Sequence, residues 1–267
     1  MNERNLLTDN PHLYEQQFPD PDHVAARFVD DLVRRFADRA TRPIRLLDVG
    51  CGTGRDAGYL HSHGYTVTGL DTSQPMLAYA RHRHPGVRFL HADMRTFDLP
   101  DRFDVVTCLD SAMLYCHTSA EITGFLHRCH RQVRPGGLLL AEMRNGAFFL
   151  GNTELLDGTR TRSVTWRGIA YKSRTRLWID HAAQLLRRER VWTWPDGPEP
   201  LVQISAWRLL FPAELRHLLE TAGFDVLALF DAPGPRTDPP WNPDTDLSTA
   251  LSGDRLHVVA RRRNDAA

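Results

Sequence analysis

The sequence predicts an α/β fold in which a parallel sheet is covered by helices on both faces and an antiparallel β insertion enters late in the chain. Three observations predict it. From Ile44 to Met143, apolar runs of about five residues alternate with helical segments, the rhythm of βαβ units. The turn Gly50-Cys51-Gly52-Thr53-Gly54 follows the first of those runs. From Arg144 onward the runs become rich in Trp, Thr, Ile, Val and Arg with partial period-two alternation, the pattern of antiparallel strands.

The elements follow in order. Asp22 to Ala40 places Val24, Phe28, Leu32 and Phe36 four apart, an amphipathic helix. Asp20-Pro21-Asp22 starts it, and Arg34, Arg35 and Arg39 complement the negative end of its dipole. Strands are expected at Ile44–Val49, Thr66–Leu70, Val87–Leu90, Phe103–Leu109 and Leu138–Met143, with helices at Met76–His84 and Ile122–Val133. Arg134-Pro135-Gly136-Gly137 reads as a tight turn feeding the last strand. The insertion should hold strands at Ser163–Trp166, Ile169–Ile179, Gln184–Trp194 and Leu201–Leu210, with a hairpin turn at Pro195-Asp196-Gly197-Pro198. A helix at Pro212–Ala222, stopped by Gly223, a strand at Val226–Phe230, a Pro-rich loop and a strand at Arg255–Ala260 complete the chain.

Composition narrows the function classes. The 267 residues suffice for one α/β domain with an embellishment. With 33 basic and 33 acidic residues the net charge is zero, which argues against a dedicated nucleic-acid binder. No apolar run approaches the roughly 20 residues of a membrane span. Met1-Asn2-Glu3-Arg4-Asn5 lacks an apolar stretch, so no signal peptide is expected and the protein should be cytoplasmic. Cys51, Cys108, Cys116 and Cys129 form no CxxC pair and are expected as free thiols. His61, His63, His127 and His130 lack the further partners of a zinc site, so no metal is expected.

Ligands of an open parallel sheet bind beyond the carboxyl ends of its strands. Asp71, Asp93 and Asp110 stand at three successive strand ends and are expected to face one cleft. The glycine turn lacks the third glycine spacing of a dinucleotide fingerprint, because Arg55 follows Gly54. Asp48 just before it would repel a pyrophosphate but suits an ammonium group, as at the amino-acid end of S-adenosylmethionine. Asp71, about 20 residues beyond, has the position that accepts ribose hydroxyls. Asp93 with the Met94 amide would read an adenine edge.

Leu47-Asp48-Val49-Gly50-Cys51-Gly52-Thr53-Gly54, followed by Asp71, Asp93-Met94 and Arg134-Pro135-Gly136-Gly137, resembles the motif set of class I S-adenosylmethionine-dependent methyltransferases. The resemblance implies a Rossmann-like seven-stranded sheet in the order 3-2-1-4-5-7-6 with strand 7 antiparallel. It implies S-adenosylmethionine as donor and S-adenosylhomocysteine as product. The expected donor set is Tyr14, Asp48, Gly50, Cys51, Gly52, Gly54, Asp71, Thr72, Met76, Asp93, Met94 and Leu109. Residues 1–41 would form an N-terminal lid and helix, 42–143 the donor-binding core, 144–211 the β insertion, and 212–267 the rest of the core sheet. His91-Ala92-Asp93-Met94-Arg95, Phe103-Asp104-Val105-Val106-Thr107-Cys108 and the insertion are similar to aminosugar N-methyltransferases of antibiotic biosynthesis. Those enzymes carry a histidine where Tyr115 stands and an aromatic or aliphatic residue where Asp110 stands.

Methyl transfer from a sulfonium is an in-line displacement, so alignment in a dry cavity carries most of the rate. Asp110, Tyr115 and His117, on the loop after the fourth strand, are the catalytic candidates. Tyr14, Ser111, Glu142 and Arg144 are the candidate acceptor contacts. A small-molecule N- or O-methyltransferase is therefore expected, with an RNA or protein methyltransferase and an inactive S-adenosylmethionine-binding regulator as the alternatives. Trp166, Trp178, Trp192, Trp194 and Trp207 are expected as the core of the inserted sheet or as a homo-oligomer interface. Arg160, Arg162, Arg167, Arg174, Arg176, Arg187, Arg188 and Arg190 form either a solvated face or an anion-binding one.

Overall fold

The computed structural model describes residues 5–37, 43–151, 154–156, 158–195, 197 and 199–264. Two short N-terminal helices, α1 (Pro11–Gln17) and α2 (Val24–Phe36), precede the sheet. Then follow β1 (Arg45–Val49), α3 (Arg55–Ser62), β2 (Thr66–Asp71), α4 (Gln74–Arg83), β3 (Arg88–His91), β4 (Phe103–Cys108), α5 (Ser119–Gln132) and β5 (Val133–Arg144). The inserted strands are β6 (Arg160–Trp166), β7 (Ile169–Asp180), β8 (Leu185–Thr193) and β9 (Leu201–Arg208). The chain then returns through α6 (Pro212–Thr221), β10 (Phe224–Phe230) and β11 (Arg255–Arg262).

The main sheet has seven strands in the order β10-β11-β5-β4-β1-β2-β3, with β11 antiparallel to both neighbours. Counting only the core strands, this is the 3-2-1-4-5-7-6 order that the motif resemblance implies. Strand alternation splits the core. Leu47, Val49, Val106 and Cys108 meet Phe125 and Leu126 of α5 and Leu215 and Leu219 of α6. Leu46 and Val105 meet Phe28 and Leu32 of α2, Leu60 of α3 and Leu77 of α4. A sheet buried on both faces needs such apolar strands.

Helix starts are locally encoded. Ser73 Oγ accepts from the Met76 amide at α4, and Thr118 with Glu121 forms a capping box at α5. At α2 the residue before the helix is His23, in the left-handed region, and the cap comes from Asp20, whose carboxylate accepts from the amides of Val24 and Ala25. That helix stops at Phe36, before the expected Ala40; Arg39 and Ala40 lie outside the described residues. The expected turn at Arg134-Pro135-Gly136-Gly137 lies within β5 as a looped-out stretch: Val133 pairs with Phe103 and Leu138 with Val105, and Gly136 takes φ 76°.

The inserted strands form a separate four-stranded antiparallel sheet, β6-β7-β8-β9. Trp192 pairs with Leu201 across the β8–β9 connection; Asp196 and Pro198 of its expected turn lie outside the described residues. Leu186 and Trp207 at one end of its inner face join the main core. Tyr171 and Trp192 at the other end pack with Leu7 and Leu13 of the N-terminal segment, and Trp166 and Trp194 join them. Trp178, of opposite parity on β7, is half-buried beneath Arg176.

Candidate active site

The glycine turn is pinned beneath the carboxyl end of β2. Gly50 and Cys51 amides both donate to Leu70 O at 2.8 and 3.0 Å, and the Gly52 amide donates to Asp71 Oδ2 at 2.9 Å. Gly50, Gly52 and Gly54 all have positive φ, which glycine adopts without steric cost. Their surroundings differ. A Cβ on Gly50 would lie 2.8 Å from Ala112 Cβ, and one on Gly54 would lie 2.6 Å from the Phe89 ring, whereas a Cβ on Gly52 would enter open space. Gly50 and Gly54 thus close the turn onto the fold, and Gly52 leaves it open to a ligand.

Asp48, the penultimate residue of β1, lies beneath this turn and is buried. Thr107 Oγ1 on adjacent β4 donates to its Oδ1 at 2.8 Å. Burial, reinforced by Asp56 and Asp71 and opposed by the Thr107 hydrogen bond, pushes the Asp48 carboxyl up to about 7. Asp56, in the first turn of α3, is also raised by burial, against the pull of Arg55.

Asp110 gathers the opposite wall. It and Ser111 both adopt positive φ, 52° and 63°, an arrangement that costs energy for non-glycine residues and needs firm support. Glu142 supplies that support: its Oε2 accepts from the Asp110 amide at 2.7 Å, its carbonyl accepts from the Ser111 amide at 3.0 Å, and its Oε1 pairs with Arg255 at 3.0 Å. Ser111 Oγ accepts from the Arg144 amide. Tyr14 of α1 donates its hydroxyl to Asp110 Oδ2 at 3.1 Å, and Arg236, from the loop between β10 and β11, pairs with the same oxygen at 3.0 Å. Burial and the Asp110 charge both push the Tyr14 phenol up. Glu15 of α1 accepts from Thr53 Oγ1 and from Arg55, which also donates to Phe18 O at 2.9 Å. Helix α1 therefore bridges the glycine turn and the end of β4.

Of the expected donor residues, Tyr14, Asp48, Gly50, Cys51, Gly52 and Leu109 line one small cleft with Asp110. Asp71 sits at its edge, with Oδ1 accepting from Ser73 N and Oδ2 from Gly52 N. Met94 lies near Gly50. Asp93 is clamped by Arg95, whose hydrogen bonds hold its carboxyl below the usual range. Thr72 is exposed, and its carbonyl accepts from His91 Nε2. Met76 and Gly54 pack in the scaffold beneath the cleft.

The acceptor candidates lie toward the second sheet. Tyr115 ends the 3-10 turn Ala112–Tyr115, is exposed, and tilts against Trp207 with ring centroids 6.2 Å apart. His117 Nε2 is bonded to Ala206 O of β9 at 3.0 Å, so this ring ties the loop to the insertion. Arg144 lies over the Trp207 ring. Glu142 and Ser111 are both buried in the scaffold that holds Asp110. Sequence reasoning missed Glu15, Thr53, Arg55, Asp56 and Arg236. Arg55 and Asp56 directly follow the turn and could have been found from that position; Arg236 sits in an aperiodic loop with no local signal.

Residues 46–137 match the family model described as a methyltransferase domain. That match spans about a third of the chain and coincides with the strands and glycine turn that build the cleft. Over 120 residues it is 40% identical to a dTDP-3-amino-3,6-dideoxy-alpha-D-glucopyranose N,N-dimethyltransferase of Streptomyces fradiae, covering 45% of this chain and 46% of that one. It is 30% identical over 164 residues to a malonyl-[acyl-carrier protein] O-methyltransferase of Pectobacterium atrosepticum, covering 57% and 59%. The chain thus spans about half the length of these curated relatives. A solved structure of a S-adenosylmethionine-bound amino pentose methyltransferase of calicheamicin biosynthesis, from Micromonospora echinaspora, superposes with a TM-score of 0.70 at 27% identity, covering 98% of this chain and 100% of that one. Among the described residues, no helix is long and apolar enough to cross a membrane.

Proposed function

We propose that the protein transfers a methyl group from S-adenosylmethionine to the amine nitrogen of a small molecule of aminosugar type, in secondary metabolism. Asp48 carries the donor half of this reading. A carboxyl buried beside two further aspartates is costly to ionise alone, and an ammonium at the open side of Gly52 would relieve it. Asp71 retains acceptor capacity for ribose hydroxyls after taking its two backbone amides, since an ionised carboxylate offers about four lone-pair sites. Met94 and Leu109 flank the remainder of the cleft, and Arg55 is placed to meet a carboxylate. When bound, the donor supplies a methyl group on a sulfonium, electrophilic enough that no covalent protein intermediate is needed.

The chain's own work is alignment, exclusion of water and handling of one proton. Tyr14 and Arg236 cover the cleft through Asp110 Oδ2. Among the described residues Asp110 Oδ1 has no partner, so it is the atom that accepts a hydrogen bond from the attacking amine and receives its proton. Desolvation raises the Asp110 carboxyl against the pull of Arg236, which improves it as a base. Tyr115, braced on Trp207, positions the acceptor. The amine reading follows the names of the aminosugar and amino pentose methyltransferases among the relatives. Exposed Val202 and Ile204 on β9 make the insertion the surface through which a homo-oligomer would form, and a sedimentation-velocity monomer would exclude it.

The test is direct. Purified protein with S-adenosylmethionine and a panel of aminosugars and hydroxylated analogues should yield S-adenosylhomocysteine with the amines alone. Turnover confined to alcohols or carboxylates would overturn the nitrogen assignment, and failure to bind the donor by calorimetry would overturn the reading as a whole.

A further inference from the structure

The inner face of the second sheet has a banded composition. Its register places Leu186, Arg188, Arg190 and Trp192 of β8 on one parity, opposite Trp207, Ser205, Gln203 and Leu201 of β9 and Ile179, Leu177, Thr175 and Ser173 of β7. Arg162 of β6 stands opposite Ser173 on the same face. The two ends of this face are apolar and covered, one by the main core and the other by the N-terminal segment. The middle is polar and cationic.

Among the described residues, no carboxylate neutralises that middle. Arg188 Nε donates to Ser205 Oγ at 2.9 Å and stacks 4.5 Å over Trp207, and Arg190 Nε donates to Thr175 Oγ1 at 3.0 Å and lies 5.6 Å from the Trp192 ring centre. Among the described residues none of Arg162, Arg188 and Arg190 has a carboxylate partner, although elsewhere on the sheet Arg187 pairs with Asp180. Burial, with Arg188 and Arg162 as neighbours, pulls Arg190 down to about 10, and burial lowers Arg188 as well. Half-buried guanidiniums gathered without a counter-charge are unfavourable unless an anion completes them. The hydroxyls that accept from the two Nε atoms still have a proton to donate.

We propose that Arg162, Arg188 and Arg190 form an anion subsite that holds a phosphate or diphosphate group of the acceptor, with Tyr115 beside Arg188 at its reactive end. This rests on the methyl-transfer reading for the acceptor's role. A carboxylate satisfies one guanidinium fork. Arginines two residues apart on a strand are roughly 7 Å apart, and the third comes from two strands away at about 10 Å, so the face calls for an anion with oxygens on several sides. Sequence alternation fixes the selection: the same period that puts Trp192 and Trp194 inward puts Arg188 and Arg190 inward.

Calorimetric titration of inorganic pyrophosphate tests it, at fixed low ionic strength and with S-adenosylhomocysteine saturating. The wild-type protein should bind, and Arg190→Met should lose affinity by roughly tenfold, as expected for a lost charge-assisted hydrogen bond. Arg162→Met, at an exposed position on an edge strand, should lose affinity too, and serves if Arg190→Met does not fold. Arg174→Met, on the opposite parity of β7, should bind like wild type. A parallel titration with a pyrimidine nucleoside diphosphate identifies the source: tighter binding than pyrophosphate assigns the anion to a nucleotide-linked acceptor, and equal binding to a bare phosphate group. No pyrophosphate binding by wild type, or equal losses in Arg162→Met and Arg174→Met, would overturn the proposal. Failure of S-adenosylhomocysteine to bind while pyrophosphate still does would sink the methyl-transfer reading and leave the anion subsite standing.

Discussion

The glycine turn and the inserted sheet, the donor and acceptor sides of the proposed reaction, are built in opposite ways. At the turn, polar groups are paired at short range: backbone amides of Gly50, Cys51 and Gly52 go to Leu70 O and Asp71, and the charge left over is negative, on buried Asp48. In the insertion, long side chains stack on tryptophans, and the charge left over is positive, on Arg188 and Arg190. The difference teaches where each kind of specificity resides. On the proposed reading, a cofactor common to many enzymes is held by backbone geometry, which few substitutions can alter, while a variable acceptor is met by side chains on an added sheet. Perturbing the turn should therefore cost stability and donor affinity, and perturbing the insertion face should cost acceptor recognition.

The largest effect is expected from Gly54→Ala. The methyl must enter at φ 73° and within 3 Å of Phe89 and Ala80, combining left-handed strain with overpacking, for about 2–4 kcal/mol of stability. Denaturant unfolding checks it; a loss below roughly 0.5 kcal/mol would break the contrast between turn and insertion.

Next comes pH. The Asp48 carboxyl is raised to about 7 from an unfolded value near 3.8, so between about pH 4 and pH 7 the folded state keeps a proton that the unfolded chain releases. Stability from this group is complete below about pH 4 and falls as pH rises to about 7, by on the order of 2–4 kcal/mol. Asp48→Asn should abolish that slope and make the ligand-free protein more stable than wild type at pH 8. Parallel pH–stability curves for the two proteins would contradict it.

Asp71→Ala removes both the Gly52 and Ser73 anchors and should weaken S-adenosylhomocysteine binding by roughly tenfold, as expected for lost charge-assisted hydrogen bonds. The smallest change is Tyr115→Phe. The ring and its contact with Trp207 persist, so donor affinity should hold while turnover falls about threefold to tenfold, the scale of one lost hydrogen bond. Equal losses in donor affinity and turnover would place Tyr115 on the donor side.

Much of this architecture was legible because it is periodic. Apolar alternation at Leu46, Leu47 and Val49 or Val105 and Val106 encodes a sheet buried on both faces, whereas α5 begins at Ser119, three residues ahead of the expected Ile122, because Thr118 and Glu121 cap it. The glycine turn that lines the candidate cleft was legible for a related reason: Asp48 to Gly54 is contiguous and written in one stretch. Helix α1 was missed because it is seven residues long, buries only Leu13 and carries no acidic residue in its first turn, too little for a period to emerge. Arg236 was missed because its meeting with Asp110 depends on the path of a Pro-rich loop, which no local pattern encodes. The arginines of the insertion were seen as a group, but their division between the two faces, with Arg188 and Arg190 on the inner one and Arg187, paired to Asp180, on the other, needed the strand register.

The account stands most directly on Asp48, so the deciding measurement is S-adenosylhomocysteine binding to wild type and Asp48→Asn, by calorimetry at pH 7 in two buffers of different ionisation enthalpy. Wild type should bind with release of a fraction of a proton, as the ligand's ammonium draws the buried carboxyl into its charged form. Asp48→Asn should bind at least tenfold more weakly and release none of that proton. Equal affinity and equal proton release in the two proteins would contradict the claim that this carboxylate is the donor's anchor.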